Sequence, residues 1–183
     1  MAAPVSIAFT HVHSMRIASG AEALAARVLL ADGTAGFGFT LNDDAGMARD
    51  MAAWDALGRS KGVPLHALLG GAHRKTVRIE KDEGRAIPPD SAAHRVDPFA
   101  LGSVERVLKI AAMFDLGIAL LAPNAHPWEI QYCAALAAAI KGRDAKIVVR
   151  SDFSPEIPVS EKPGIGIDWS AEPAFGEIRW LSK

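Results

Sequence analysis

The residues that could do chemistry in this chain are few. His11 and His13 stand two apart, so on a strand they project to one face, a spacing compatible with a metal ion. No third ligand is identifiable beside them, and two surface histidines is the plainer reading. Glu80 and Glu83 lie in the acidic run Ile79-Glu80-Lys81-Asp82-Glu83-Gly84, where a weak divalent cation site competes with a solvated charged loop. His73, Arg74, Lys75 and Arg78 form a small basic cluster that could meet an anionic substrate, or simply face water. Cys133 lies among alanines and reads as a small core residue. No P-loop, dinucleotide fingerprint, nucleophile elbow or zinc-type cysteine pattern is present.

Composition bounds the classes further. The chain has 183 residues, half of them hydrophobic and 22% charged, which suffices for a packed core in one domain with a small appendage. Twenty basic residues against 21 acidic ones give a net charge of -1, so nothing steers it to nucleic acid or an anionic membrane. The single cysteine excludes an internal disulfide and fits the cytoplasm. No signal peptide is read at the N-terminus, and runs such as Ile118 to Pro123 are too short to span a bilayer.

The elements that must position these groups follow from pattern. Val5, Ile7 and Phe9 alternate as in a half-buried strand. Leu24 to Ala31 and Thr34 to Thr40 flank Asp32-Gly33, a two-residue hairpin signal. Asp43 or Asp44 caps a helix running to about Lys61, which Gly62 and Pro64 end. Val77 to Ile79 reads as a short strand, and Lys81 to Arg95 as irregular. Ser103 caps a second helix with the stripe Val104, Val107, Leu108, Ala111 and Phe114, and Ile118 to Ala122 is a buried strand. Pro127 opens a third helix reaching Ile140 before Gly142, followed by a strand from Lys146 to Arg150 and a loop-rich tail. Alternation of helix and strand in the second half argues for a parallel sheet.

Three blocks of the chain resemble the mandelate racemase-like branch of the enolase superfamily. They are the hairpin with Gly36-Phe37-Gly38, the helix with Trp54-Asp55 leading to Pro64-Leu65 and Leu68-Leu69-Gly70-Gly71, and Arg95 to Ile140 with Pro163-Gly164-Ile165-Gly166-Ile167. The second block is the most specific. The resemblance implies α+β and α/β architecture: a small N-terminal antiparallel hairpin sheet (1–43), an incomplete (β/α) barrel-like fragment (44–150) and a C-terminal tail (151–183) returning to the cap. A complete barrel needs about 250 residues, so only part of one fits.

In that family Mg²⁺, held by an Asp and two Glu residues on successive strands, supports α-proton abstraction from a carboxylate by Lys or His. The segments for the Lys base and the first two ligands have no counterpart here. The third ligand would align near Glu80 and Glu83. Asp97 stands where the Asp of a His-Asp dyad belongs, Asn124 falls where the His is expected, and His126 could substitute if the loop shifted. The plainer reading makes Asp97 a turn residue and His126 a helix-start residue. The resemblance therefore implies a sugar-acid dehydratase or racemase ancestry, a small carboxylate substrate and a Mg²⁺ site lost in this chain, and the strand edges and apolar helix faces that an incomplete barrel exposes invite a homo-oligomer. The alternative is a non-catalytic ligand-binding or structural module.

Overall fold

The computed structural model describes residues 5–83, 93–113, 117–141 and 144–180. Two compact units emerge: residues 1–65 with 161–183, and residues 66–160. The first helix packs on the N-terminal sheet and so falls in the first unit. Phe114, Gly84 and Gly142, named in the sequence reading, lie outside the described residues.

In the first unit, β1 (Ile7–Arg16), β2 (Glu22–Leu30) and β3 (Ala35–Thr40) form an antiparallel sheet in that order. The β2–β3 turn is the expected Asp32-Gly33, with Gly33 at φ 86° and the Asp32 carboxylate accepting from the Thr34 N–H at 2.8 Å. Helix α1 (Ala45–Lys61) starts on Asp44, whose side chain accepts from the N–H groups of Gly46 and Met47, and ends on left-handed Gly62.

Small residues decide how closely α1 and the sheet meet. Val12, Ala26 and Val28 face Ala48, Ala52 and Ala56 of the helix. Opposite them, a Cβ at Gly36 would sit 2.1 Å from the Ala56 nitrogen, and one at Gly38 1.9 Å from the Ala48 oxygen. The Gly36-Phe37-Gly38 triplet therefore brings backbone onto backbone, while Phe37 points to the opposite face. There Phe37 meets Trp169, Phe175 and Trp180 of the C-terminal segment, with ring centroids 5.4–6.0 Å apart.

Asp55 joins these layers. Its side chain is fully buried, and it accepts from the Phe37 N–H at 3.0 Å, the Ile165 N–H at 2.9 Å and Arg59 Nε at 2.6 Å. Burial pushes its carboxyl above the usual range, and the Arg59 cation and the two backbone donors oppose that shift. Gly164, at φ 82°, passes so close that a Cβ there would lie 2.2 Å from Asp55 Oδ1.

In the second unit, a short helix α2 (Leu65–Leu68) leads to β4 (Thr76–Lys81). Then come β5 (Ala93–Val96), α3 (Pro98–Leu101), α4 (Val104–Ala112), β6 (Gly117–Leu121), α5 (Pro127–Ala139), β7 (Ala145–Val149) and β8 (Glu156–Pro158). The sheet order is β5-β6-β7-β4-β8, parallel except for β8. The first parallel strand thus lies beside the last, as the first and eighth strands do in a closed barrel, but among the described residues the sheet ends at β5 and β8 and does not close. Strand β5 and helix α3 were not read from the sequence, since four residues are too few for a periodic pattern.

The expected effect of Asp55→Asn is a loss of about 3 kcal/mol, because an amide cannot accept from all three donors and leaves Arg59 without its carboxylate. Urea unfolding of the two proteins measures it. Gly38→Ala should be worse, failing to give a cooperative transition, because the obstructing atom is helix backbone.

Candidate functional site at the carboxyl ends of the parallel strands

In barrel-type sheets, chemistry gathers at the carboxyl ends of the strands. On this sheet those ends carry Asp82 and Glu83 after β4, Asp97 after β5, Asn124 and His126 after β6, and Arg150 after β7. All five residues expected from the sequence, Glu80, Glu83, Asp97, Asn124 and His126, therefore lie at the end of a strand or just beyond it.

Local chemistry explains what each is doing. Asp97 is the N-cap of α3; its Oδ1 accepts from the N–H groups of Phe99 at 2.9 Å and Ala100 at 3.1 Å. His126 is the N-cap of α5, with Nδ1 accepting from the Trp128 N–H at 3.2 Å and its ring edge-on to Trp128 at 5.3 Å. Three positions on, fully buried Glu129 accepts from the Asn124 backbone N–H at 3.0 Å, the Asn124 side-chain amide at 2.8 Å and the His126 backbone N–H. This is a variant of the capping box: Glu129 reaches back to the N-cap N–H, while the His126 side chain accepts from the second helical N–H rather than the third. Ala125, between Asn124 and His126, is held at φ 51°, a strained conformation for a residue with a Cβ.

Glu129 was not singled out in the sequence. The signal was there: Pro127 at the first helical position and Glu129 at the third is a helix-start pattern. Burial pushes the Glu129 carboxyl up, and hydrogen bonds from Asn124 and His126 pull it down. The neighbouring Cys133 is buried, and its thiol is pushed well up by that burial and by the carboxylates of Glu129 and Asp97. It is a core thiol, as read from the sequence, and its Sγ points at the Leu121 oxygen, 3.6 Å away.

The carboxylates of β4 have cations for partners. Glu80 Oε1 lies 3.2 Å from Arg78 and Oε2 lies 2.7 Å from Lys146. Asp82 lies 2.9 Å from Arg95, although β4 and β5 are three strand spacings apart, about 14 Å in a flat sheet. The register puts Arg95, Ala119 and Lys146 in one row and Leu121, Val148 and Glu80 in the next, all on one face. An ion pair across that face requires it to be concave. Of the basic cluster, Arg74 reaches the last carbonyls of α5, at Ala137 and, at 3.3 Å, Ile140, where a cation suits the helix end. Arg78 also pairs with Asp144 at 2.8 Å.

These residues do not fit an octahedral Mg²⁺. Both Glu80 oxygens face cations, Glu83 is exposed, and among the described residues no three His, Cys, Asp or Glu side chains converge.

The fold of this sheet, the small antiparallel sheet and the C-terminal segment is similar to that of solved racemase, enolase and mandelate racemase/muconate lactonizing enzyme structures. Solved structures similar to it include a racemase from Streptomyces coelicolor A3(2) with bound magnesium, with TM-score 0.68 and 11% identity, covering 94% of this chain and 100% of that one. An enolase from Pseudomonas fluorescens Pf0-1 with bound magnesium, potassium and tartrate gives TM-score 0.70 at 12% identity, covering 94% and 92%. A mandelate racemase/muconate lactonizing enzyme from Polaromonas sp. JS666 gives 0.66 at 13%, covering 88% and 94%. At these identities the likeness establishes the fold. No protein-family model and no curated protein matches the sequence.

The raised Glu129 carboxyl has a signed consequence. Its folded value lies above its unfolded one, so its contribution is complete below the ordinary carboxyl range and is lost as pH rises through the folded value. Between about pH 4 and pH 7, the wild type should therefore lose stability relative to Glu129→Gln, which does not titrate. Parallel thermal melts across that range check the direction.

Proposed function

We propose that this chain keeps the mandelate racemase-like scaffold without performing the parent reaction, metal-assisted α-proton abstraction from a carboxylate, on its own. One observation carries the reading: the α5 cap uses the groups that a base would need. With Nδ1 accepting from the Trp128 N–H, neutral His126 holds its proton on Nε2, so neither nitrogen offers a lone pair to a substrate proton while the cap stands. Asn124, at the position expected for the base, is an amide and is turned onto Glu129. Asp97 spends one oxygen on α3 rather than serving only to orient a base.

The chain is, on this reading, a pseudoenzyme related to sugar-acid dehydratases or racemases. Its cytoplasmic location rests on composition alone; among the described residues no helix is long and apolar enough to cross a membrane. The alternative, a module that binds a small carboxylate or assembles with copies of itself, is supported by the cations Arg78, Arg95 and Lys146 on the concave face. Those cations are already paired with carboxylates, so this reading ranks second.

The test is exchange of the α-proton of sugar acids, tartrate among them, in deuterated buffer with Mg²⁺, followed by NMR. No exchange above the buffer rate is expected. Exchange that disappears in His126→Asn overturns the proposal and makes His126 the base. Light scattering and a Tm screen against the same acids separate the two forms of the alternative.

A further inference from the structure

The first unit holds a histidine pair on strand β1, apart from the strand-end residues of the second unit. His11 and His13 lie on the β1 face opposite α1, with ring centroids 6.1 Å apart. His11 is half-buried, its ring set perpendicular to Trp180 with centroids 5.6 Å apart, and its Nδ1 is buried with no hydrogen-bond partner. A buried polar atom without a partner is costly, and a bound ion that takes its lone pair removes that cost. His13 is exposed, so its ring can turn toward His11 at little cost.

We propose that His11 and His13 bind a divalent late transition ion, of the class Zn²⁺, Ni²⁺ or Cu²⁺. Imidazole suits these ions, and metal–nitrogen bonds of about 2 Å bring both rings within reach of one ion once His13 turns. Trp180 fixes the His11 ring, which removes part of the ordering cost of binding. No third His, Cys, Asp or Glu converges here among the described residues, so water fills the remaining positions. Arg27 stands opposite His11 in the register, and its cation keeps the affinity modest. The site is independent of the Mg²⁺ question, because it lies on the other unit and its donors are nitrogen.

Trp180 is a built-in reporter. Cu²⁺ titrated into the full chain should quench the Trp180 share of the fluorescence, identified with Trp180→Phe. His13→Gln and His11→Gln should each raise the half-quenching concentration at least tenfold, while His73→Gln leaves it unchanged. Because His13 is exposed, its variant should fold; circular dichroism checks this. In a parallel titration, Zn²⁺ should shift the side-chain ¹⁵N signals of His11 and His13 together. Quenching unmoved by His13→Gln, or Zn²⁺ shifts confined to other histidines, overturns the site.

Discussion

The first unit depends on one buried carboxylate. Asp55 receives a donor from β3, a donor from the returning C-terminal segment and a cation from its own helix. A fully buried carboxylate is tolerable only when its lone pairs are met, so those three partners must be in place together. That requirement fixes the distance between α1 and β3, which in turn demands the bare backbone of Gly36 and Gly38. It also fixes where the chain must be at Gly164, more than a hundred residues further on. The aromatic layer of Phe37, Trp169, Phe175 and Trp180 fills the opposite face of the sheet, so the tail is held by packing as well as by the Asp55 hydrogen bond.

The second unit answers a different problem. A parallel sheet cut out of a barrel has an inner face that no longer closes on itself. Here the register places Arg78, Glu80, Lys146 and Arg95 on that face, and the Arg95–Asp82 pair spans it. Ion pairs at such partly exposed positions add little stability, but they let the concave face be wetted where an apolar lining would favour aggregation. At the strand ends, the capping box of His126 and Glu129 anchors α5. Binding and catalysis there would have to compete with a structural use of the same atoms.

Much of the local structure was legible from residue types. Asp44 before α1, Gly62 after it, Ser103, Pro127 and the Asp32-Gly33 turn each act through their own backbone or side chain within a few residues, so sequence spacing carries the information. The Trp54-to-Gly71 block likewise pointed to the right fold, which the similarity to solved racemase and enolase structures bears out. Strand β5 was missed because its hydrogen bonds come from β6, more than twenty residues away, and not from any local pattern. The docking of α1 on the sheet was not legible, because it rests on Gly36 and Gly38, a close approach that two glycines permit but do not announce.

The sequence by itself determined the caps, the turns, the alternation that makes a parallel sheet, and the shortage of barrel strands, because each is a matter of neighbours or of length. Only the tertiary structure shows which hydrogen bonds Asn124, His126 and Asp97 make. A histidine near a strand end reads the same whether it is a base or an N-cap. The N-cap geometry itself rests on one hydrogen bond, from the Trp128 N–H to Nδ1, and on the buried Glu129 that holds the loop in place. Similarly, Glu80 looked available to a cation until the register brought Arg78 and Lys146 to its two oxygens. Long-range pairing sets which charges meet, and no spacing along the chain contains it.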